Sequence, residues 1–181
     1  MHVETIRWDD FPSQFISTRP IDIWLPPSYL TEPDKHYPVL YMHDGQNLFN
    51  KKEAFAKVDW GVVPALRRLV KQGKSREAII MGIWNTEKRF QELLPWKPLS
   101  ETKRGQFLYQ KHQHEIGEVS SDGYLKHLVE EVKPRIDAQF RTLPGQSDTF
   151  VMGSSMGGLI SLYAICAYPQ VFGGAGCVST H

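Results

Sequence analysis

Residues Gly153-Ser154-Ser155-Met156-Gly157 form a G-x-S-x-G motif, which places a serine hydroxyl on a sharp turn between a strand and a helix. A serine hydroxyl is a poor nucleophile unless a base takes its proton and the backbone lifts it clear of the sheet. The turn crowds the positions two before and two after the nucleophile, so both require minimal side chains. Ser155, rather than Ser154, is therefore the predicted nucleophile, and Gly153 and Gly157 are the predicted structural residues of the turn.

The segments on either side of the motif have the character that it requires. Residues 149–152 (TFVM) are a short β-branched and aromatic run that follows a turn-prone stretch at 144–148. Residues 159–166 are mostly apolar and predict a helix that ends before Tyr168 and Pro169. The alternative is a glycine-rich loop that only turns a corner, and the strand and helix argue against it.

A second segment predicts the other half of an acyl-transfer site. Residues 37–42 (YPVLYM) predict a buried strand, which runs directly into the loop at 43–47 (HDGQN). Acyl transfer needs two backbone N–H groups directed at the developing oxyanion, one after the serine and one after an earlier strand. Met156 would supply the first, and we assign the second to the Gln46 amide because Gly45 lets the loop turn closely. An ordinary strand-ending turn is the alternative.

The two segments together resemble the putative esterase family of α/β-hydrolases, which includes feruloyl esterases, siderophore esterases, S-formylglutathione hydrolase and mycolyltransferases. The matching segments are 39–49, 153–159, 83–85 with Arg89, 131–137, 140–142 and 168–173. The resemblance spans roughly residues 21–181 and implies an α/β-hydrolase fold. That fold is an eight-stranded, mostly parallel sheet with helices on both faces, and the implied activity is hydrolysis of carboxylic esters.

The catalytic triad implied by the resemblance is incomplete in this sequence. In this fold the order along the chain is Ser, then Asp or Glu, then His. Residues 156–181 contain no Asp or Glu, and their single histidine is His181. Residues 174–179 match the sixth strand of the family fold, so the acid and the histidine are expected beyond residue 181. We weigh three explanations: a fragment, which is favoured, strands supplied by another polypeptide, or an unorthodox base.

The other histidines are weak candidates for a catalytic base or a metal ligand. His43, at the end of a central strand, is the internal candidate for a base, although a role in shaping its loop by hydrogen bonds is favoured. His112, His114 and Glu115 form an H-x-H-E cluster without a third ligand at a fitting spacing, and neighbouring Lys111 favours a solvated loop. The sequence therefore predicts neither a metal nor a cofactor.

Hydrophobic periodicity predicts alternating strands and helices in a single α/β domain over residues 1–181. Strands are predicted near 19–25, 37–43, 78–83, 148–152 and 174–179. Helices are predicted over 62–70 and from 122 to 136, with Pro134 bending or dividing the second. This alternation is typical of a parallel sheet built from strand-helix-strand units.

Residues 85–121 interrupt this alternation with prolines, aromatics and charges, and they predict a long irregular insertion over the active-site edge of the sheet. The resemblance implies that Trp84 and Arg89, beside this insertion, line the acyl or alcohol pocket, and Asp44 is assigned to the same substrate site. A core aromatic and a loop-bracing cation are equally supported interpretations of Trp84 and Arg89.

Composition limits the binding partners and the cellular compartment that the sequence predicts. A net charge of +1 gives no electrostatic reason to bind nucleic acid or acidic membranes. Residues 1–10 lack the apolar core of a signal peptide and no stretch reaches membrane-spanning length, so a cytoplasmic protein is expected. Cys166 and Cys177 are interpreted as core thiols rather than a disulfide framework.

We therefore expect a serine hydrolase that acts on a small-molecule ester. An acyltransferase on the same scaffold is the nearest alternative, differing only in whether water or an alcohol takes the acyl group. A non-catalytic binding or scaffold remnant is the alternative from another class, favoured by the missing carboxylate after Ser155. An open parallel edge strand would also allow a homo-oligomer or edge-strand association.

Overall fold

The computed structural model describes residues 5–180, in which six strands form one sheet in the order β1-β2-β4-β3-β5-β6. The strands are β1 (Ile6–Phe11), β2 (Arg19–Trp24), β3 (Val39–His43), β4 (Ile79–Ile83), β5 (Thr149–Ser154) and β6 (Gly174–Val178). Strands β4, β3, β5 and β6 run parallel, and β2 is antiparallel to both β1 and β4. The predicted α/β class with a mostly parallel sheet is thus confirmed.

Helices cover both faces of this sheet. They are α1 (Val62–Lys71), α2 (Arg89–Leu93), α3 (Trp96–Glu101), α4 (Lys103–Ile116), α5 (Ser121–Lys126), α6 (Lys133–Gln139) and α7 (Met156–Ala167), with a π-helical segment at His127–Val132. Strand β3 shows how the layers form, because its alternate side chains enter different clusters. Val39 and Tyr41 pack with α5–α7, while Met42 packs in a smaller cluster against α1.

The prediction that residues 85–121 are irregular is wrong, because three helices, α2, α3 and α4, occupy most of this segment. Its prolines lie where helices tolerate them: Pro95 immediately precedes α3, and Pro98 lies in its first turn. Thr102 begins α4, with its hydroxyl accepting a hydrogen bond from the Gly105 amide at 2.9 Å. The H-x-H-E cluster predicted in a loop accordingly lies on α4.

The long helix before β5 is divided where its proline predicts. Residues 121–139 are helical throughout, but the hydrogen-bonding pattern changes from α to π at His127 and returns to α at Lys133. Pro134 lies in the first turn of α6, directly after the π-helical segment. Because proline has no N–H, this turn cannot complete a regular α-helical ladder.

Two further features were missed or misjudged from sequence. Strand β1 was not predicted, because its charged sequence IRWDDF lacks clear alternation. Cys166 and Cys177, predicted in the core, are both exposed free thiols. Cys177 lies on β6, which pairs with β5 alone among the described strands. Within residues 5–180, no helix is long and apolar enough to cross a membrane.

A buried ion pair attaches the helical segment to the sheet. Arg19 on β2 donates from Nη1 and Nη2 to the two carboxylate oxygens of Glu92 on α2, at 2.8 and 2.7 Å. Each residue is 1% exposed, and Arg19 also donates to the Ser17 carbonyl. Breaking such a pair leaves an uncompensated buried charge, which is costlier than replacing both partners by apolar side chains.

We therefore expect Arg19→Met to lower the free energy of unfolding by about 3–5 kcal/mol. Adding Glu92→Leu should restore most of that loss, because no charge then remains buried. Urea denaturation followed by tryptophan fluorescence measures both variants. A single variant within about 1 kcal/mol of the original protein, or a double variant no better than the single one, would contradict the proposed role of the pair.

Candidate active site

Ser155 lies on the turn between β5 and α7 with φ 55° and ψ −122°, a combination that non-glycine residues rarely adopt. Such a conformation costs of order 1–3 kcal/mol and persists only where the surrounding structure enforces it. Here the Ser155 amide donates to the Val178 carbonyl of β6 at 2.9 Å, and the Ser155 carbonyl accepts from Gly158 and Leu159 in the first turn of α7. The predicted strand-to-helix turn is therefore present.

The two glycines that frame the serine are needed to different degrees. A Cβ on Gly153 would lie 2.5 Å from the carbonyl carbon of Gly157, a distance that no side chain can have. A Cβ on Gly157 would lie 3.4 Å from both Asp44 Oδ2 and His43 Cβ, which leaves room for a methyl group and little more. The close approach of Gly153 to the Gly157 backbone therefore requires glycine at position 153, whereas position 157 has space for a Cβ.

The second predicted segment follows β3 directly. Asp44 has a left-handed conformation, φ 59° and ψ 46°, and begins a 3₁₀ turn over Gly45–Asn47. Gly45 packs against Gly82 of β4 so closely that a Cβ would lie 2.4 Å from the Gly82 carbonyl carbon. The glycine predicted to let this loop turn is thus required by the neighbouring strand as well.

The structure brings the two predicted amide donors to the same edge of the sheet. Strands β3 and β5 are parallel neighbours, with Met42 opposite Met152, so their loops leave side by side. Among residues 5–180, neither the Gln46 amide nor the Met156 amide has a hydrogen-bond partner. Met156 begins the 12-residue helix α7, whose N-terminus carries partial positive charge. Both free donors therefore lie at the edge of the sheet that carries Ser155, and their role as an oxyanion site stays a prediction.

His43 is buried inside the protein. Its side chain is fully buried, and its Nδ1 shares a 2.6 Å hydrogen bond with the hydroxyl of Tyr124 on α5. Burial lowers the pKa of His43 to about 4, so the ring is neutral at physiological pH. Among residues 5–180, no histidine is hydrogen-bonded to Ser155. His181, the remaining candidate after Ser155, lies outside the described residues.

Asp44 and Arg89, both predicted to bind substrate, bind each other. Arg89 donates from Nε and Nη2 to the Asp44 carboxylate at 2.6 and 2.8 Å, and Asn85 Nδ2 donates to the same group at 2.6 Å. The carboxylate raises the pKa of Arg89 above its usual value. Asp44 is 3% exposed, so its carboxylate lies behind Arg89 and Asn85. Roles for either residue in binding substrate stay predictions.

Trp84, which follows β4, contacts side chains of β1 and β2. Its Nε1 donates to Asp22 of β2 at 2.8 Å, and the guanidinium of Arg7 lies 4.6 Å from its ring centroid. Arg7 also binds the carboxylates of Asp22 and Glu53, which ties the loop after β3 to strands β1 and β2. These contacts describe a bracing aromatic, and a substrate role for Trp84 stays a prediction.

A cavity of about 350 Å³ opens next to the turn, on the α1 face of the sheet. Its lining is mainly apolar and consists of Met42, Trp60, Val62, Met152, Gly153, Ser154 and Val178. Ser154 lines this cavity, and neither Ser155 nor Gln46 is among the lining residues. Within residues 5–180, no three His, Cys, Asp or Glu side chains are grouped as a metal site would require.

Asn85 and Tyr124 are site residues to which sequence reasoning gave no role. Asn85 lies two residues after β4, and a polar residue close to the end of a parallel strand is a signal that could have been used. Tyr124 carries no such signal, because its contact with His43 joins residues 81 positions apart. Neither interaction follows from the G-x-S-x-G motif.

Comparison with known proteins agrees with this architecture. The sequence profile of the family described as "Putative esterase" matches residues 13–181. YbbA, a Bacillus subtilis (strain 168) protein described as uncharacterized, is 28% identical over 161 residues, which are 89% of this chain and 56% of YbbA.

Solved structures of hydrolases share the fold. An IroE-like serine hydrolase from Shewanella oneidensis matches 98% of this chain and 51% of its own, with a TM-score of 0.70 at 22% identity. A CE1 ferulic acid esterase from Anaeromyces mucronatus matches 94% of this chain and 55% of its own, with a TM-score of 0.62 at 20% identity. The chain thus spans about half the length of these relatives, and the structural likeness shows the fold alone.

The strain at Ser155 predicts an unusual stability effect. Ser155→Gly should raise the free energy of unfolding by about 1 kcal/mol relative to Ser155→Ala, because only glycine adopts φ 55°, ψ −122° without a Cβ clash. Both variants lose the hydroxyl, so their comparison isolates the backbone. Urea denaturation of the pair measures the difference. A glycine variant less stable than the alanine variant would show that the turn is not strained.

Proposed function

The chain belongs to the putative esterase family, and we propose that it carries the nucleophile and the oxyanion site of a serine hydrolase acting on carboxylic esters. The observation that carries this proposal is the strained conformation of Ser155 at the N-terminus of α7, with the free amides of Met156 and Gln46 at the same edge of the sheet. A turn that serves only to connect a strand and a helix needs no such strain.

The proposed reaction begins when Ser155 Oγ bonds to the ester carbonyl carbon and the carbonyl π electrons move to its oxygen. The amides of Gln46 and Met156 would donate to that oxyanion, and the serine proton passes to an imidazole base. Collapse re-forms the carbonyl and breaks the bond to the alcohol oxygen, which takes the proton from the imidazolium. Water then repeats the sequence on the acyl-enzyme and releases the acid.

The base is proposed to be a histidine outside residues 5–180, oriented by a carboxylate as in other serine hydrolases. His43 is poorly suited to this role, since its Nδ1 is bound to Tyr124 and its ring is fully buried. Serine, imidazole and two amides supply all the chemistry of this reaction, so the proposal includes no metal or cofactor. The partner it requires is a small-molecule ester.

Two rival functions differ from this proposal, one in the acyl acceptor and the other in whether the set of catalytic residues is complete. An alcohol in place of water would make the protein an acyltransferase, which product analysis with and without an added alcohol separates from a hydrolase. A non-catalytic binding protein is favoured by one observation: no histidine among residues 5–180 is hydrogen-bonded to Ser155. An unreactive Ser155 in the whole protein would support that rival.

The adjacent serines provide a matched test in the whole protein. Ser155→Ala should lower kcat for a p-nitrophenyl ester by at least about a thousandfold and abolish labelling by a fluorophosphonate probe, because the attacking oxygen is removed. Ser154→Ala, which removes the neighbouring hydroxyl from the other side of the turn, should keep activity within about threefold of the original. An active Ser155→Ala variant, or a label mapped to Ser154, would overturn the assignment.

A further inference from the structure

We propose that Arg89 and Asn85 are positioning residues, which act through the carboxylate of Asp44 to fix the loop that carries the Gln46 amide. The inference rests on the proposed function of Ser155 and extends it to residues outside the G-x-S-x-G motif. It also replaces direct substrate binding as the role of the Asp44 carboxylate.

The geometry of this Asp44 clamp, formed by Arg89, Asn85 and Asp44, is specific. The guanidinium approaches the carboxylate with two donors, Nε at 2.6 Å and Nη2 at 2.8 Å, and Asn85 Nδ2 adds a third at 2.6 Å. Two parallel donors on one carboxylate fix its orientation as well as its position. Asp44 is 3% exposed, so little water competes for these hydrogen bonds.

The clamp acts on a residue in the left-handed region of backbone conformation. Asp44 has φ 59° and ψ 46°, a left-handed conformation that few residues with a Cβ adopt, although Asp adopts it more readily than most. Its carbonyl accepts from the Asn47 amide at 2.9 Å and so starts the 3₁₀ turn that contains Gln46. A rotation of Asp44 out of this conformation would swing the Gln46 N–H away from the turn at Ser155.

A second link joins the same two loops. The backbone amide of Asn85 donates to Gln46 Oε1 at 3.3 Å, while the Asn85 side chain holds Asp44. Asn85 follows β4, and Gln46 follows β3, the parallel neighbour of β4. The loop after β3 is therefore tied to the loop after β4 at two points, with Asn85 contributing to both.

Arg89 also affects the charge near the proposed oxyanion site. Asp44 Oδ2 lies 3.4 Å from the position of a Cβ on Gly157, so the carboxylate adjoins the first turn of α7, where Met156 would stabilise the oxyanion. A bare carboxylate there would oppose the negative charge that develops in the reaction. The guanidinium compensates that charge, and its loss would weaken transition-state stabilisation more than ground-state binding.

Steady-state kinetics of the whole protein distinguish this role from substrate binding. Arg89→Gln should lower kcat by about 10–100-fold with KM within about twofold, since one oxyanion donor is worth 10²–10³ and would be displaced rather than removed. Arg76→Gln is the control, because it removes an equal charge and the ion pair with Asp148 at the other end of β5. It should change kcat by less than twofold.

Asn85→Ala provides a second variant if Arg89→Gln fails to fold. It removes only the 2.6 Å bond to Asp44 and leaves the ion pair intact, so a smaller loss of kcat, about three- to tenfold, is expected. An increase in KM at constant kcat in either variant would identify a direct substrate contact and overturn the proposal. Unchanged kinetics in both variants would overturn it as well.

Hydrogen exchange tests the clamp without relying on activity. The amides of Asn47 and Leu48 donate to the carbonyls of Asp44 and Gly45, so they report whether the turn is closed. Arg89→Gln should accelerate their exchange at least about tenfold, while Arg76→Gln should not. If the original protein lacks esterase activity, the proposed function fails but exchange still decides the clamp. Unaltered exchange in Arg89→Gln would overturn the clamp even in an active enzyme.

Discussion

The backbone conformation of Ser155 is the constraint on which the site depends. Its φ of 55° and ψ of −122° are unfavourable, and the surrounding packing must supply the compensating free energy. That packing comes from both sides: Gly153 contacts Gly157 across the turn, and the Val178 carbonyl of β6 accepts the Ser155 amide. Three consecutive elements, β5, α7 and β6, therefore define one turn, which explains why the proposed nucleophile needs the sheet as well as its own motif.

The second constraint is charge near the site. Asp44 places a buried carboxylate beside the N-terminus of α7, where our account requires negative charge to develop on the substrate. Asn85 in the loop after β4 and Arg89 at the start of α2 bind that carboxylate, and the same contacts hold the turn that contains Gln46. The same hydrogen bonds thus fix the position of the Asp44 carboxylate and compensate its charge, since a guanidinium group with two parallel donors does both.

Local patterns predicted the elements that frame the site, because a strand, a turn and an apolar helix are encoded within residues 148–167. The pairing of Asp44 with Arg89 could not be predicted, since the two residues are 45 positions apart and each alone resembles a substrate ligand. The helices of residues 89–116 were missed because Pro95 and Pro98 suggested a loop, although both occupy positions where a helix start accepts proline. Exposure of Cys177 depends on whether a strand pairs with the outer edge of β6, which local sequence does not specify.

A crystal structure of the whole protein after reaction with a fluorophosphonate would show whether Ser155 and the two loop amides act on one substrate atom. We expect a phosphorus atom bonded to Ser155 Oγ and a phosphoryl oxygen roughly 2.7–3.1 Å from the backbone nitrogens of both Gln46 and Met156. That result would show the strained turn and the loop after β3 acting on one oxyanion. An adduct on another residue, or a phosphoryl oxygen directed away from these two amides, would contradict the account.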